Sequence, residues 1–505
     1  MKITLRQGSI AQAAAEIIIL GIHEGERSFV REVRAIDAAG SGMIQDVVHS
    51  GDFKGELYRS LLLYNRSRKI AARRILLVGL GRRKDFTADK MRNAAAQAAR
   101  VVRDLGLREL LMSSAFAQMP GLSHAGSIRA LVEGMMLGLY TFEEFKTSSE
   151  GKKKNAVEAI TLLAEDAREL AEARVEARKA EIIARAVHVV RDLVARPANS
   201  ATPAFMARTA KAIAKKNGLA CTVLSPAQAK KLGMGCFLGV GQGSREPAQF
   251  IVLEHRPQNA RPVDTIVLVG KAITFDSGGI SLKPARGMER MKDDMSGGAA
   301  VLGIMQAAAQ LAIPLRVIGI VPATENLPDG AALKPGDVIT ALSGKTVEII
   351  TTDAEGRLVL ADALAYAQRY KPQAIIDLAT LTGACITALG SDVAGIMGTD
   401  ERLINSIRES AAATGEKVWQ LPLWEEYSEL LKSDIADIKN AAGRDAGAIT
   451  GGCFLKAFAG QAPWAHLDIA GPVWTDKDRP CQPKGATGFG VRLILHVLEN
   501  WKKAK

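Results

Sequence analysis

Val347-Glu348-Ile349-Ile350-Thr351-Thr352-Asp353-Ala354-Glu355-Gly356-Arg357-Leu358 carries an apolar run into two carboxylates and a guanidinium, and then into the helical spacing of residues 358–370 (LVLADALAYAQRY). Residues 347–350 read as a strand, so Asp353, Glu355 and Arg357 are expected on the turn between strand and helix. At i, i+2 and i+4 of an extended turn these side chains would project to one side, the carboxylates converging on a cation while Arg357 holds an anion. The plainer alternative is a helix start, with Asp353 capping the first turn and Glu355 pairing with Arg357 on the surface.

Outward from this stretch lies a second one. Residues 263–270 (VDTIVLVG) read as a buried strand leading into Lys271-Ala272-Ile273-Thr274-Phe275-Asp276-Ser277-Gly278-Gly279-Ile280-Ser281-Leu282-Lys283. Met291, Lys292, Asp293 and Asp294 follow, and then a small-residue helix from Ser296. Two strand ends thus deliver Lys271, Asp276, Lys283, Asp294, Asp353 and Glu355 beside glycines, where backbone and ligand can approach closely. Several carboxylates in one cleft cannot all stay ionised without a counter-charge, and a pair of divalent metals would supply it.

The alternation of strand-like and helix-like segments predicts an α/β fold with two domains, each a mainly parallel or mixed sheet flanked by helices. Residues 1–165 form the N-terminal domain, with strands at 2–6, 16–21 and Arg74–Gly79, a helix at 87–105 and a polar loop at Lys152-Lys153-Lys154. Residues 166–195 form a long linker helix whose alternating charges mark a solvated face, with His188 as a packed residue near its apolar end. Arg196-Pro197 ends that helix. The C-terminal domain, 196–505, places strands at 250–253, 265–269, 317–321, 374–378 and 466–469 between helices at Pro203–Asn217, 297–311, 358–370 and 452–458. Such a doubly wound sheet carries its site at the carboxyl ends of the strands. Gly239-Val240-Gly241-Gln242-Gly243 precedes a strand and is read as a turn. Gly79-Leu80-Gly81 lacks the third glycine of a dinucleotide loop.

With 505 residues and 48% hydrophobic composition the chain can bury two cores. No window approaches the roughly 18 apolar residues of a membrane span, and the start MKITLRQGSI lacks a signal pattern, so a cytoplasmic location is expected. Cys221, Cys236, Cys385, Cys453 and Cys481 show no Cys-x-x-Cys spacing, which argues against a disulfide framework and a thiolate zinc site. The seven histidines form no His-Glu-x-x-His motif. A metal here must be held by oxygen, plus whatever Lys271 contributes.

The two charged stretches, together with Gly485-Ala486-Thr487-Gly488-Phe489-Gly490-Val491-Arg492, resemble the signatures of the leucyl aminopeptidases, the two-metal cytosol aminopeptidase family, and the likeness extends in length and layout over nearly the whole chain. Thr351 departs from the family's Asn before Thr-Asp-Ala-Glu-Gly-Arg, leaving every charged position intact. The resemblance implies a metallo-exopeptidase that removes Leu and other apolar residues from peptide amino termini. It implies that Asp276 and Glu355 bridge two divalent ions, Mn²⁺ or Zn²⁺, with Asp353 completing one site and Asp294 and Lys271 the other. It further implies that Lys283 is an electrostatic catalyst, that Arg357 holds a bicarbonate, and that Met291, Thr380 and Gly383 line the substrate pocket. Family members are homohexamers. A metal-dependent phosphatase would need phosphate-holding loops, which the sequence does not show.

The charge of +12 raises DNA binding as a further or sole role. Residues 66–84 (RSRKIAARRILLVGLGRRK) hold eight Lys/Arg and no acid. Either they form a phosphate-binding patch, or their cations flank a buried strand at its solvated ends. A patch without a readout helix gives sequence-tolerant, steeply salt-dependent binding. Gel shifts at two salt concentrations should then show that Arg82, Arg83 and Lys84 changed together to Ala weaken binding, whereas absence of any shift at low salt removes this role.

Overall fold

The computed structural model describes residues 1–26, 28–117, 123–147, 156–257 and 263–502. Lys152-Lys153-Lys154 lies outside them. The chain divides into two compact units, residues 1–185 with 477–483, and residues 186–476 with 484–505. The helix Ala167–Ala195 is continuous through the division.

In the first unit the strands are Lys2–Gln7 (β1), Ile17–Ile22 (β2), Ser60–Tyr64 (β3), Arg74–Gly79 (β4), Glu109–Ser113 (β5) and Ala159–Ala164 (β6), in the order β1-β6-β5-β2-β4-β3. All neighbours are parallel except β3 on β4. Apolar runs such as Ile17-Ile18-Ile19-Leu20 are fully buried, as strands covered on both faces must be. The helix expected at 87–105 is Ala88–Asp104, with Thr87 as its N-cap, accepting from Lys90 N at 3.2 Å. It packs against His124–Gly138 across a buried Arg92–Glu133 ion pair of 2.9 Å. Residues 477–483 join this unit through Arg100, which donates to Arg479 O at 2.9 Å, and through Cys481 N, which donates to Asn93 Oδ1 at 3.3 Å. In the basic stretch, β4 is the buried strand between exposed cations. Arg83 pairs with Glu26 at 2.7 Å and Arg82 lies 3.8 Å from Glu24, so two of the three cations after β4 are already matched by acids.

The second unit is built on Ala220–Leu224 (β7), Gln249–His255 (β8), Thr265–Gly270 (β9), Ala272–Asp276 (β10), Arg316–Asn326 (β11), Ala374–Ala379 (β14), Ala394–Gly398 (β15), Val418–Gln420 (β16) and Trp464–Asp468 (β18). A separate small sheet takes Val338–Thr340 (β12), Thr346–Glu348 (β13) and Ile438–Lys439 (β17). The large sheet runs β16-β15-β18-β14-β9-β11-β8-β7, with β10 also on β11. Its centre, β18-β14-β9-β11, is parallel and buried. Ser296–Gln310 packs with Pro203–Asn217 and Val491–Glu499 as one helical layer, and Glu355–Ala367 packs with Gly235–Gly241 and Gly447–Lys456 as another. The carboxyl ends of β9, β10, β11, β14 and β18 therefore deliver Lys271, Asp276, Asn326, Thr380 and Asp468 to one rim.

Two local expectations are corrected. The strand read at 347–350 is Thr346–Glu348, because Ile349 and Ile350 leave the ladder, Ile349 N donating to Asp337 O and Ile350 N to Asn440 Oδ1. The glycine run at 239–243 is not a plain turn, since Gly239 to Gly241 end the helix Gly235–Gly241. Glycine disfavours helix locally, but here the cap comes from another element. Asp362, in the middle of Glu355–Ala367 and fully buried, accepts from Phe237 N at 2.8 Å and Leu342 N at 2.7 Å. Burial pushes its carboxyl up to about 7, although these N–H groups favour the anion. Asp362→Ala strands two buried backbone donors, a cost of about 1–3 kcal/mol each. The variant should unfold several degrees below wild type in calorimetry, and an unchanged transition would show that the cap contributes nothing.

Candidate metal centre

The turn between strand and helix does gather charge, but not as three side chains projecting from one side of an extended turn. Glu355 opens the helix Glu355–Ala367, whose N-cap is Ala354 with no side-chain cap, so Asp353 is not a capping residue. Residues two apart on a helix diverge by about 200°. Glu355 therefore turns toward β9 and β10, while Arg357 turns away and donates from Nη1 to Asn440 O at 2.7 Å. A carboxylate in the first helical turn is favoured by the helix dipole, which is why the acidic residue can be wholly buried here.

Asp276, Asp353 and Glu355 each present a carboxylate oxygen within 4.8 Å of the other two. Around them stand two ammonium groups. Lys271 Nζ lies 2.8 Å from Asp294 Oδ1 and 2.9 Å from Glu355 Oε1, and donates to Thr380 O at 3.0 Å. Lys283 Nζ lies 2.8 Å from Asp276 Oδ2 and pairs closely with Asp353. Lys271 reaches this position because Gly356 has no side chain; a Cβ there would fall 2.5 Å from Nζ. Lys271 thus pairs directly with both Asp294 and Glu355.

The electrostatics follow from this packing. Burial, and then Glu355, pushes the Asp276 carboxyl up to about 6 against the pull of Lys283 and Lys271. Burial also raises Asp294 well above the usual carboxylate range, with Lys271 pulling the other way. At Glu355 burial acts the same way, but Lys271 and Lys283 outweigh it and hold the carboxyl below its ordinary range. Burial disfavours both ammonium groups, yet the surrounding carboxylates win and keep both protonated. Burial lowers the Arg357 guanidinium to about 10. Its Nε is buried and without a partner among the described residues, as is Asp294 Oδ2.

This donor set fits divalent ions. Four carboxylates and one amine are hard ligands of the kind that hold Mn²⁺, Mg²⁺, Co²⁺ or Zn²⁺, and Asp294 Oδ2 is a buried acceptor still open to a ligand. Of the residues read as pocket lining, Met291 is half-buried on the turn Met288–Asp293, and Gly383 opens the helix Gly383–Leu389 with free space where a Cβ would stand. Thr380 does more than line a wall, because its hydroxyl donates to Asp294 Oδ1 at 2.6 Å. Thr351 borders the centre through Asn440, which donates to Thr351 O at 2.7 Å.

Residues that the sequence reading passed over complete the centre. Asn326 donates to Asp276 Oδ1 at 2.8 Å, Thr352 Oγ1 donates to Gly278 O at 2.6 Å, and Asn440 holds both Thr351 and Arg357. Asp468, fully buried, accepts from Thr382 Oγ1 at 2.7 Å and from Leu381 N and Thr382 N, fixing the turn that carries Thr380. One signal was available for Asn326: the polar run Thr324-Glu325-Asn326 closes an otherwise apolar strand.

Comparisons with known proteins identify the family. The sequence model of the cytosol aminopeptidase family's catalytic domain matches residues 188–495, and that of the family's N-terminal domain matches residues 19–149. A probable cytosol aminopeptidase of Geobacter sp. is 47% identical over 501 residues, 99% of each chain. Another, of Roseiflexus castenholzii, is 45% identical over 100% of both chains. A mutant of tomato leucine aminopeptidase has a TM-score of 0.88 at 34% identity, covering 99% of this chain and 96% of that one. The bottromycin maturation enzyme BotP in complex with Mn has a TM-score of 0.84 at 34% identity, covering 96% and 99%. No helix among the described residues is long and apolar enough to cross a membrane. By sequence across its whole length and by fold, the chain belongs to the cytosol aminopeptidase family and is a metal-dependent aminopeptidase.

Proposed function

We propose that the chain removes N-terminal amino acids, Leu and other apolar residues first, from peptides by water attack supported by two divalent ions, Mn²⁺ or Zn²⁺. The observation that supports this most is the convergence of Asp276, Asp353 and Glu355 within 4.8 Å, with Lys271 and Asp294 alongside. In this reading Asp276 and Glu355 would be shared between the ions, Asp353 would complete one site, and Asp294 with Lys271 would complete the other. Two such ions, when bound, lower the pKa of a water and polarise the scissile carbonyl.

The chain's own residues supply the rest. Lys271 can serve as a ligand only as the neutral amine, and positive charge beside a buried ammonium drives its proton off. Lys283 keeps its proton and stabilises the negative charge that develops on the carbonyl oxygen. Arg357, with a buried donor to spare, holds a bicarbonate that passes protons. The free amino terminus of the peptide is anchored in the centre, which restricts cleavage to the first residue. Met291, Thr380 and Gly383 border the first side chain. The names of the relatives favour the cytosol as its place of action, and the family resemblance favours a homohexamer.

The direct test is release of p-nitroaniline from Leu-p-nitroanilide, expected to stop with chelator and to return with Mn²⁺; turnover that ignores the chelator would overturn the reading. Asp276→Ala and Glu355→Ala each remove a shared ligand, so metal content and activity should fall together while circular dichroism stays that of a folded chain. Either variant retaining two ions and full activity would contradict the bridging roles. Lys283→Ala should lower kcat by on the order of 10²-fold with its metal retained, as for loss of an oxyanion donor. If that variant sheds metal instead, Lys283 is a ligand and not the electrostatic catalyst.

A further inference from the structure

We propose that Asn326 is a positioning residue of the metal centre, its neutral side-chain amide orienting the two carboxylates, Asp276 and Glu355, that bridge the ions. The inference rests on the two-ion reading above. Asn326 is the last residue of β11 and is 5% exposed. Its Nδ2 lies 2.8 Å from Asp276 Oδ1, 3.0 Å from Thr352 O and 3.3 Å from Glu355 Oε2. Three acceptors around one end leave no ambiguity about which end carries the NH₂. Two N–H bonds serve three acceptors, so the longest contact is shared.

The backbone makes the placement rigid. Asn326 O accepts from Ser277 N at 3.0 Å and from Ser277 Oγ at 2.7 Å, which ties the end of β11 to the turn after Asp276. On the other side Oδ1 sits against Gly279, where a Cβ would fall 2.7 Å away. Gly279 has φ +69°, so both its conformation and the close approach of the amide call for glycine. One side chain thus touches three of the segments that carry the carboxylates: the end of β10 with Asp276, the stretch before the helix beside Asp353, and the helix start with Glu355.

The chemistry explains why the residue is neutral. Each bridging carboxylate needs its outward lone pairs held so that the others face the ions. A Lys or Arg here could hold them but would set a fixed positive charge against two dications. An Asp would add a further negative charge beside Asp276 and Glu355 and could donate nothing. The amide donates without changing the charge of the centre. Lys271 and Lys283 now occupy the other carboxylate oxygens, Glu355 Oε1 and Asp276 Oδ2; Asn326 is the uncharged member of the set.

The test is Mn²⁺ titration of chelator-stripped full-length chain by calorimetry, for wild type, Asn326→Thr and Asn326→Asp. Asn326→Thr keeps a strand-compatible residue without the amide, and it decides the matter should Asn326→Asp fail to fold. We expect Mn²⁺ affinity to fall by about 10- to 100-fold in both. In saturating Mn²⁺, kcat for Leu-p-nitroanilide should fall more than KM changes. Wild-type affinities for both ions in the two variants would overturn the proposal. So would a lowered melting temperature of the stripped chain with unaltered affinity, because that is the mark of a packing role alone. A wild type that takes up fewer than two ions would overturn the two-ion reading itself, and this inference with it.

Discussion

Like charges forced together out of water are the constraint on which the rest of this structure depends. Asp276, Asp294 and Glu355 are buried, with Asp353 at the mouth, and among the described residues only Lys271 and Lys283 pair with them directly. Removing one partner from such a buried set costs about 3–5 kcal/mol, since the remaining charge has no water to turn to. The arrangement therefore holds only because each charged atom is placed by a rigid element. Lys271 leaves β9 at the centre of a parallel sheet, Glu355 starts a helix that is buried on all sides, and Asp276 ends a strand paired with β11.

Behind the charged rim stands a second tier of buried polar groups whose task is placement. Asp468 gathers donors from the turn at 380–382, and that turn gives Lys271 a carbonyl and Asp294 a hydroxyl. One layer deeper, Asp377 on β14 accepts from Trp464 Nε1 at 2.7 Å and lies 2.5 Å from His466 Nδ1, linking β14 to β18 by side chains as well as by the ladder. Asp362 does the same between helices. Buried polar groups that are satisfied specify a single arrangement, and those left unsatisfied are costly. At this site precision comes from that tier, while the apolar core around Phe237, Phe250, Tyr366 and Trp464 supplies the bulk of the burial.

The metal centre also shows how function and stability draw on one set of contacts. The two ammonium groups that neutralise these carboxylates are also contacts that hold β9, β10 and the helix Glu355–Ala367 together at the site. Arg357 is different: its guanidinium is anchored at one nitrogen and open at another, an asymmetry suited to holding a small anion. Thr351, where the resemblance leads one to expect Asn, accepts at its hydroxyl from Asp353 N at 3.3 Å, and Asn440 holds its backbone.

Much of this was legible in the sequence because it depends on local pattern. Continuous apolar runs marked β2, β4, β9 and β14, helical spacing marked Pro203–Asn217 and Ala167–Ala195, and the unusual density of charge beside glycine marked Lys271, Asp276, Lys283, Asp353 and Glu355. What sequence could not decide was every feature whose partner is remote along the chain. Glu355 and Arg357 diverge because the helix begins three residues earlier than its apolar spacing suggests, in a dipole and a packing environment that no window of sequence contains. Gly235–Gly241 is helical because Asp362, far downstream, caps it, and residues 477–483 pack with the first unit because Asn93 and Arg100 hold them. Asn326 carried only a faint signal, a polar end to an apolar strand, since its role is set by three acceptors on three separate segments. Sequence determines which groups exist and which short stretches can form strands and helices; tertiary structure alone decides which lone pairs and N–H groups meet, because hydrogen bonding is directional and acts over distances that only the folded chain brings about.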